Sequence, residues 1–406
     1  MMKRLDAKIY STDSIFIKNV ESSLLLDEHL SLYNSNRFTI FPGFCDVHVH
    51  FREPGFSYKG TIESESMAAA HGGYTAVCTM PNLNPVPDSL EHLQVEQDLI
   101  DKYARISVYP FGSLTKEEKG KELSDIAEMH SKVCGFSDDG KGVQNEKLMK
   151  EAMMLCKQYN KVLSAHCEVE SLVHGGYIHD GEYARNHGHK GICSESEWRE
   201  VERDILLAKE TGCAYHVCHI STKESVELIR QAKKDGIAIT CETAPHYLIF
   251  TDADLQEDAR WKMYPPIRSK EDKLALIEGY RDGTIDCLAT DHAPHSVEEK
   301  SRGLKNSANG IIGLETAFPA VYTYLIKTGE VSLERVIDSL VYAPRKIFSI
   351  PVNPNDFTIY DLEEEYIIHS DTFLSKARST PFDGMNVFGK CVATIHDGNI
   401  VWEESK

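Results

Sequence analysis

Short apolar runs alternate with longer helical patterns through most of the chain. Eight runs rich in β-branched and other apolar residues lie at 39–50, 74–80, 106–112, 133–139, 161–167, 213–219, 237–244 and 285–292. Segments between them, such as "KESVELIRQAKKDG", repeat apolar residues three and four positions apart and end in glycine, which predicts helices. Because continuously apolar strands separated by helices form parallel sheets, eight such units predict an α/β fold, a (β/α)8 TIM barrel. A doubly wound open sheet is the alternative.

The two ends of the chain show a different pattern. The segments "KIYSTDSIFIKNV" (8–20), "DFTIYDL" (356–362) and "VATIHDGNIVWE" (392–403) are strand-like, and "DGN" is a turn signal. We therefore predict a barrel domain over 41–349. Residues 1–40 and 350–406 are predicted to form one small β-domain together.

Composition and charge narrow the class of protein. The 406 residues suffice for one large barrel with an appendage. The formal charge of −19 disfavours nucleic acid and anionic membranes as partners, because phosphate binding needs concentrated Lys and Arg. Eleven cysteines without a CxxC pair predict reduced thiols, and the lack of a signal sequence or a long apolar run predicts a soluble cytoplasmic protein. A local cluster of metal, Arg and His can still bind an anionic small molecule.

Polar side chains stand at one end of the predicted strands, where a parallel barrel brings them to one face. They are His48, His50, Asn82, Asp138, Asp139, His166, His219 and Asp291. Each histidine alone could be an ordinary hydrogen-bonded residue, but imidazole and carboxylate together are the ligands of Zn²⁺, Mn²⁺ or Fe²⁺. Four histidines, Asp291 and one carboxylate of "SDDG" make six possible ligands, which is more than one catalytic zinc uses. A pair of ions therefore fits the count better. We expect His48, His50 and Asp291 to hold one ion. His166 and His219 would hold the other, and a carboxylate of "SDDG" would span the two.

Several motifs in order carry a family resemblance. They are "DVHVHFREPG", "GGYTAVCTMPNLNPVPDS", "GFSDDGKGVQ", "SAHCE", "YHVCHISTKESV", "TAPHYL", "ATDHAPH" and "GIIGLETAF". From about residue 40 onward the chain resembles dihydroorotases of the amidohydrolase superfamily, in their long bacterial class I form. The resemblance implies a hydrolase of cyclic amides that reversibly cyclises N-carbamoyl-L-aspartate to dihydroorotate in pyrimidine biosynthesis. It also implies a metal-activated hydroxide as the nucleophile.

The resemblance also implies roles for individual residues. Many superfamily members bridge their metals with a carboxylated lysine, whereas here Asp139 matches the bridging position and Asp138 is expected to be a structural neighbour. Asp291 matches the aspartate that shuttles a proton during the reaction. Arg52, Asn82 and His295 match the residues that bind the substrate's carboxylate.

Two substrate positions depart from the family pattern. Tyr264 of "MYPPIRS" replaces an asparagine that contacts substrate, and "ANG", which ends in Asn309 and Gly310, stands where relatives have "PFG". The polar segment 295–317 is either a lid over the substrate or a surface loop, and its place directly after the eighth strand favours the lid.

The resemblance implies one or two Zn²⁺ ions per subunit, a small-molecule substrate and a homodimer, and it allows association with aspartate transcarbamoylase. Two rival functions are another cyclic amidohydrolase, such as an allantoinase or hydantoinase, and a non-catalytic homologue that serves aspartate transcarbamoylase as a structural partner. The aspartate at position 139 disfavours the first rival, and the complete ligand set disfavours the second.

Overall fold

Eight parallel strands form a closed barrel in the computed structural model, which describes residues 5–11 and 13–405. In chain order the barrel strands are Phe44–Val49, Tyr74–Thr79, Ser107–Pro110 continued by Gly112–Ser113, Gly135–Ser137, Val162–Ala165, Tyr215–Val217, Ile239–Thr243 and Cys287–Leu288. The two pieces of strand 3 divide its pairing, because Ser107–Pro110 pairs with strand 2 and Gly112–Ser113 pairs with strand 4.

The barrel closes between its last and first strands. Val49 forms a parallel bridge with His292, and the His50 N–H donates to the His292 carbonyl at 2.8 Å. This closure confirms the predicted (β/α)8 barrel and excludes the open sheet, whose two edge strands would not meet.

Helices pack around the barrel as the spacing of apolar residues predicts. The main ones are Ile62–His71, Leu90–Tyr103, Glu146–Gln158, Glu195–Thr211, Lys223–Lys234 and Lys270–Arg281. After strand 8 the chain continues through Ala317–Val321, Tyr322–Ile326, Leu333–Ile337, Asp338–Tyr342 and Ala343–Phe348. Lys223–Lys234 shows the local logic: Thr222 caps its first turn by accepting from the Ser225 N–H, and Val226, Ile229 and Ala232 are buried on one face.

Shorter elements lie in the connections. They are Leu30–Tyr33, Lys116–Glu118, Ile126–Met129, Glu170–Leu172, Ile178–His179, Glu182–His187, Gly191–Ile192, Pro245–Ile249, Asp252–Asp254, Ala259–Trp261, Val297–Lys300, Gly303–Asn306 and Ser370–Thr372. None of the helices in the described ranges combines the length and apolar character needed to span a bilayer.

Both ends of the chain contribute to a five-stranded sheet beside the barrel. Its strands, in spatial order, are Lys8–Ile9, Phe38–Pro42, Phe357–Ile367, Asn386–His396 and Asn399–Glu403. The first pair is parallel and the others are antiparallel. The outer limits of the predicted β-domain, at 1–4 and 406, and residue 12 lie outside the described residues.

The strand prediction for 8–20 is wrong beyond Ile9, because Ser14–Leu26 is a helix. Asp13 caps it by accepting from the Ile15 N–H at 2.7 Å. Phe16, Val20 and Leu24 recur every four residues, so they share one helical face, and all three are buried in the cluster that also contains core residues of the sheet. The β-branched residues in the segment obscured this spacing.

Candidate active site

Four histidines and two aspartates meet at the carboxyl ends of the barrel strands. One Asp139 oxygen, Oδ2, lies 3.3 Å from His48 Nε2 and 3.4 Å from His50 Nε2. The other oxygen, Oδ1, lies 3.4 Å from His219 Nε2 and 3.8 Å from His166 Nδ1. A single buried carboxylate therefore faces one histidine pair with each of its oxygens.

Asp291 joins the first of these pairs. Its Oδ1 lies 3.1 Å from His50 Nε2 and 3.5 Å from His48 Nε2. His48, His50 and Asp291 thus form one group of three possible ligands, and His48, Asp139 and His219 form another. Asp138 points elsewhere: its carboxylate accepts from the backbone N–H groups of Leu114 and Thr115 at 2.8 and 3.0 Å.

The donor atoms of this cluster fit divalent metal ions. Within the described residues, His48 Nε2 and Asp139 Oδ1 are buried and have no hydrogen-bond partner. A buried polar atom left unpaired costs about 1–3 kcal/mol, and here several such atoms face one another. Imidazole nitrogens and carboxylate oxygens converging on one point are the donor set that a cation of the zinc class binds.

The pKa values of two of the four histidines, His50 and His166, agree with metal binding. Burial and the neighbouring His219 lower the pKa of His166 to about 3. Burial, followed by the charge of Arg52, also lowers the pKa of His50. Neutral imidazole is the form that binds metals, so both rings have a free lone pair near pH 7.

Glu242 orients His48 from the side of the ring that faces away from the metal-ligand cluster. It is not part of the motifs singled out in the sequence. Its side chain is 1% exposed, and it accepts from His48 Nδ1 at 2.6 Å and from His216 Nε2 at 3.2 Å. Although burial opposes ionisation, these two histidines hold the pKa of Glu242 well below its usual range. With its Nδ1 proton donated to Glu242, a neutral His48 would turn its Nε2 lone pair towards a bound metal ion. The available signal was a carboxylate inside the apolar strand "ITCET".

Three of the site residues adopt a left-handed backbone conformation. Arg52 has a φ of 67°, His219 of 32° and Asp291 of 48°. Each residue follows a barrel strand, and Arg52 and Asp291 line the cleft at the barrel mouth. Such conformations cost roughly 1–3 kcal/mol for residues other than glycine and are concentrated at functional sites.

The predicted substrate residues line a cleft of about 450 Å³ together with members of the histidine and aspartate cluster. Its lining comprises His50, Arg52, Asn82, Asp139, Gly140, His166, Tyr264, Asp291, Ala293, His295, Asn309 and Gly310. Arg52 Nε donates to the Pro294 carbonyl at 3.1 Å, and its Nη2 lies 3.4 Å from His295 Nε2. Burial, Arg52 and Lys59 lower the pKa of His295 to about 3, so this wall offers one guanidinium beside a neutral imidazole.

Asn82, Tyr264 and Gly310 complete this wall. Asn82 Nδ2 donates to Glu118 Oε1 at 3.1 Å and to the Asp139 carbonyl, which leaves its Oδ1 buried and without a partner in the described part of the chain. The Tyr264 ring is parallel to that of His166, with centroids 6.2 Å apart. A side chain at Gly310, whose φ is 126°, would come within 2.8 Å of Ala293 Cβ.

Comparison with known proteins identifies the family. The model of the family described as "Dihydro-orotase-like" matches residues 38–225. A dihydroorotase of Fusobacterium nucleatum is 47% identical over 393 residues, which cover 95% of this chain and 92% of the relative. The chain belongs to the dihydroorotase family. A dihydroorotase of Staphylococcus aureus strain MRSA252, 44% identical over 97% of the chain and 95% of the relative, agrees with this membership.

A solved structure outside the dihydroorotases shares the architecture. The L-hydantoinase of Arthrobacter aurescens superposes with a TM-score of 0.81 at 28% identity, and the match covers 91% of this chain and 86% of that one. The dihydroorotase relatives are far closer in sequence. The predicted family resemblance is confirmed, and the allantoinase or hydantoinase alternative is not favoured.

Proposed function

We propose that this chain is a dihydroorotase that interconverts N-carbamoyl-L-aspartate and dihydroorotate in pyrimidine biosynthesis. The observation that carries the proposal is the cleft, which is lined both by members of the Asp139 cluster and by Arg52 and His295. A cyclic amide that bears a carboxylate needs both groups. The metal held by the first group would activate the water that attacks the amide, and the second group would bind the carboxylate.

The metal that we propose is Zn²⁺. Its ligands would be His48, His50, Asp139, His166, His219 and Asp291. Asp139 favours two ions rather than one, because each of its oxygens faces a different histidine pair. Bound metal lowers the pKa of water towards about 7 and polarises the amide carbonyl. Glu242 is a positioning residue, since it contacts His48 and not the cleft.

Asp291 is the proposed proton shuttle. Its carboxylate lines the cleft and is held in place by His50. In hydrolysis it accepts a proton from the attacking water and delivers it to the ring nitrogen as the amide bond breaks. In cyclisation it takes the proton from the ureido nitrogen and returns it to the departing oxygen.

Arg52 is the proposed anchor of the substrate carboxylate, because its planar guanidinium matches a carboxylate with two parallel hydrogen bonds. His295 lies beside it, and Asn82, Tyr264 and Gly310 shape the rest of the pocket. Asn82 already donates to Glu118 and the Asp139 carbonyl, so its oxygen is the group left for a substrate N–H.

The remaining proposals concern organisation. We propose a barrel domain over 41–349, a β-domain from 1–40 plus 350–406, a cytoplasmic location and a homodimer. Association with aspartate transcarbamoylase is the alternative assembly.

The deciding experiment is metal analysis of the purified protein followed by parallel assays with dihydroorotate, hydantoin and allantoin. We expect hydrolysis of dihydroorotate and at least about 100-fold lower kcat/KM for the two substrates that lack a matching carboxylate. Preferential hydrolysis of hydantoin or allantoin would contradict the proposal.

A further inference from the structure

One wall of the cleft belongs to the segment 295–310, which follows barrel strand 8. It contains two single-turn helices, Val297–Lys300 and Gly303–Asn306, and returns to the cleft at Asn309 and Gly310. Short helices of this kind have little stability of their own, so other contacts must hold the segment in place.

Glu299 fastens the start of the segment to the loop after barrel strand 1. Its carboxylate lies 3.0 Å from Lys59 Nζ and 3.2 Å from His295 Nδ1, and it accepts from Tyr58 Oη at 3.2 Å. It also accepts from the Ser296 N–H at 3.0 Å, which closes the first helical turn. This carboxylate and the Asn309 carbonyl, which lies 2.7 Å from His295 Nε2, together set the orientation of His295.

Lys300 fastens the end of the segment. Its ammonium donates to the carbonyls of Gly310 at 2.7 Å, Ala308 at 3.0 Å and Lys262 at 3.1 Å. An ammonium has three N–H donors, so these carbonyls use all of them. Burial and the neighbouring Lys262 lower the pKa of Lys300 to about 7.

Lys262 repeats the arrangement from the opposite side. Its side chain is 5% exposed, and its Nζ donates to the carbonyls of Ser307 at 2.7 Å and Lys305 at 2.9 Å. Its own backbone carbonyl accepts from Lys300 and from the Gly310 N–H. Two lysines thus hold five backbone carbonyls, four of them in the segment, with no carboxylate taking part in those bonds.

We infer that Lys300 is a positioning residue for the cleft wall that the segment 295–310 forms. With Lys262 it holds Asn309 and Gly310 against the cleft and keeps His295 next to Arg52. This inference rests on the proposed dihydroorotase activity. The cluster of metal ligands does not depend on it, because neither lysine contacts those residues. Loss of Lys300 therefore weakens substrate binding and leaves the metal centre intact.

The test compares Lys300→Met with Lys305→Met, a matched control because Lys305 lies in the same segment with an exposed side chain. For Lys300→Met we expect a KM for dihydroorotate raised about 10-fold with kcat changed less than about threefold, the signature of lost uniform binding. Amide hydrogen exchange should become faster within 296–312 only, and metal content should equal that of the parent. Lys262→Met should give the same pattern, and Lys300→Arg, which keeps donors, should recover part of the KM.

Amide hydrogen exchange and metal content are measured without substrate. They therefore test whether Lys300 holds the segment even if dihydroorotate is not turned over. Unchanged exchange and KM in Lys300→Met would overturn the inference. So would faster exchange throughout the barrel or loss of metal, since either result would make Lys300 a general structural residue.

Discussion

The two walls of the cleft are built in different ways. On the metal-facing wall, His48, His166 and His219 stand at or just beyond barrel strand ends. The buried Glu242 fixes the His48 ring, and Asp139 lies 3.3 Å from His48, 3.8 Å from His166 and 3.4 Å from His219. On the substrate-facing wall, His295 and Gly310 stand on a loop that is held mainly through its backbone carbonyls. The barrel itself therefore positions the candidate metal ligands. The loop wall depends instead on hydrogen bonds to its own backbone carbonyls.

The largest effect should come from the residue at the middle of the metal-facing wall. Asp139→Asn replaces a carboxylate that faces both histidine pairs by a neutral amide, so we expect metal content to fall and kcat/KM to drop by at least about 10³-fold. Asp138→Asn is the control, since its carboxylate binds the backbone at Leu114 and Thr115. Full metal occupancy in Asp139→Asn, measured by elemental analysis, would exclude Asp139 as a ligand.

Arg52 tests the opposite wall. Arg52→Met removes the only guanidinium lining the cleft within the described residues. Because charge-assisted bidentate bonds are worth about 1.5–3 kcal/mol, kcat/KM should fall about 10- to 100-fold while metal content stays constant. Arg52→Lys keeps the charge without the fork and should fall in between. A loss of metal in either variant would mean that the two walls are not independent.

Glu242 should affect metal binding indirectly. Glu242→Gln keeps the size of the side chain but weakens its bond to His48, and such changes typically cost about 10- to 100-fold in metal affinity. Competition with a chelator measures this loss. Activity at saturating metal should recover most of the parent value, and failure to recover would indicate a role beyond positioning.

The sequence predicted which strand-end histidines and aspartates lie together, but it did not predict the contacts that hold the segment 295–310. Strand periodicity places His48 and His50 on one face, and the barrel rule brings the other strand ends to the same face. Lys262 and Lys300 gave no such signal, because they act on backbone carbonyls, and any residue in the loop supplies those. Glu242 was missed for a related reason: its partners come from other strands, so only the three-dimensional pairing shows its purpose.

Tyr264 should have a smaller effect. Its ring is parallel to that of His166, and Tyr264→Asn introduces the amide that the family resemblance implies at this position. We expect a change of about two- to fivefold in KM for dihydroorotate, of the size of one neutral hydrogen bond. Tyr264→Phe separates the hydroxyl from the ring, and metal content should not change in either variant.

Substitution of Glu96 should have the smallest effect on catalysis and tests the stability of the barrel. Glu96 lies on the helix Leu90–Tyr103 and contacts Thr79 of barrel strand 2. It is 1% exposed, accepts from Thr79 Oγ1 at 2.8 Å, and burial raises its pKa to about 8. The folded protein therefore holds a proton on Glu96 that the unfolded chain releases above about pH 4.5, so stability falls as pH rises towards 8.

Glu96→Gln removes this dependence. At pH 8.5 the variant should be more stable than the parent by about 1–3 kcal/mol in urea denaturation, and at pH 4 the difference should be small. Glu91→Gln, on the exposed face of the same helix, is the control. Equal stability of Glu96→Gln and parent at pH 8.5 would contradict the raised pKa.

The left-handed backbone at Arg52, His219 and Asp291 has a consequence for protein engineering. Glycine adopts this conformation freely, so glycine at any of the three positions would relieve local strain while deleting a side chain that the site needs. A screen that selects on melting temperature alone could therefore enrich inactive proteins at these positions. Mutant libraries designed for a more thermostable enzyme should leave these three codons unchanged and vary other positions of the barrel.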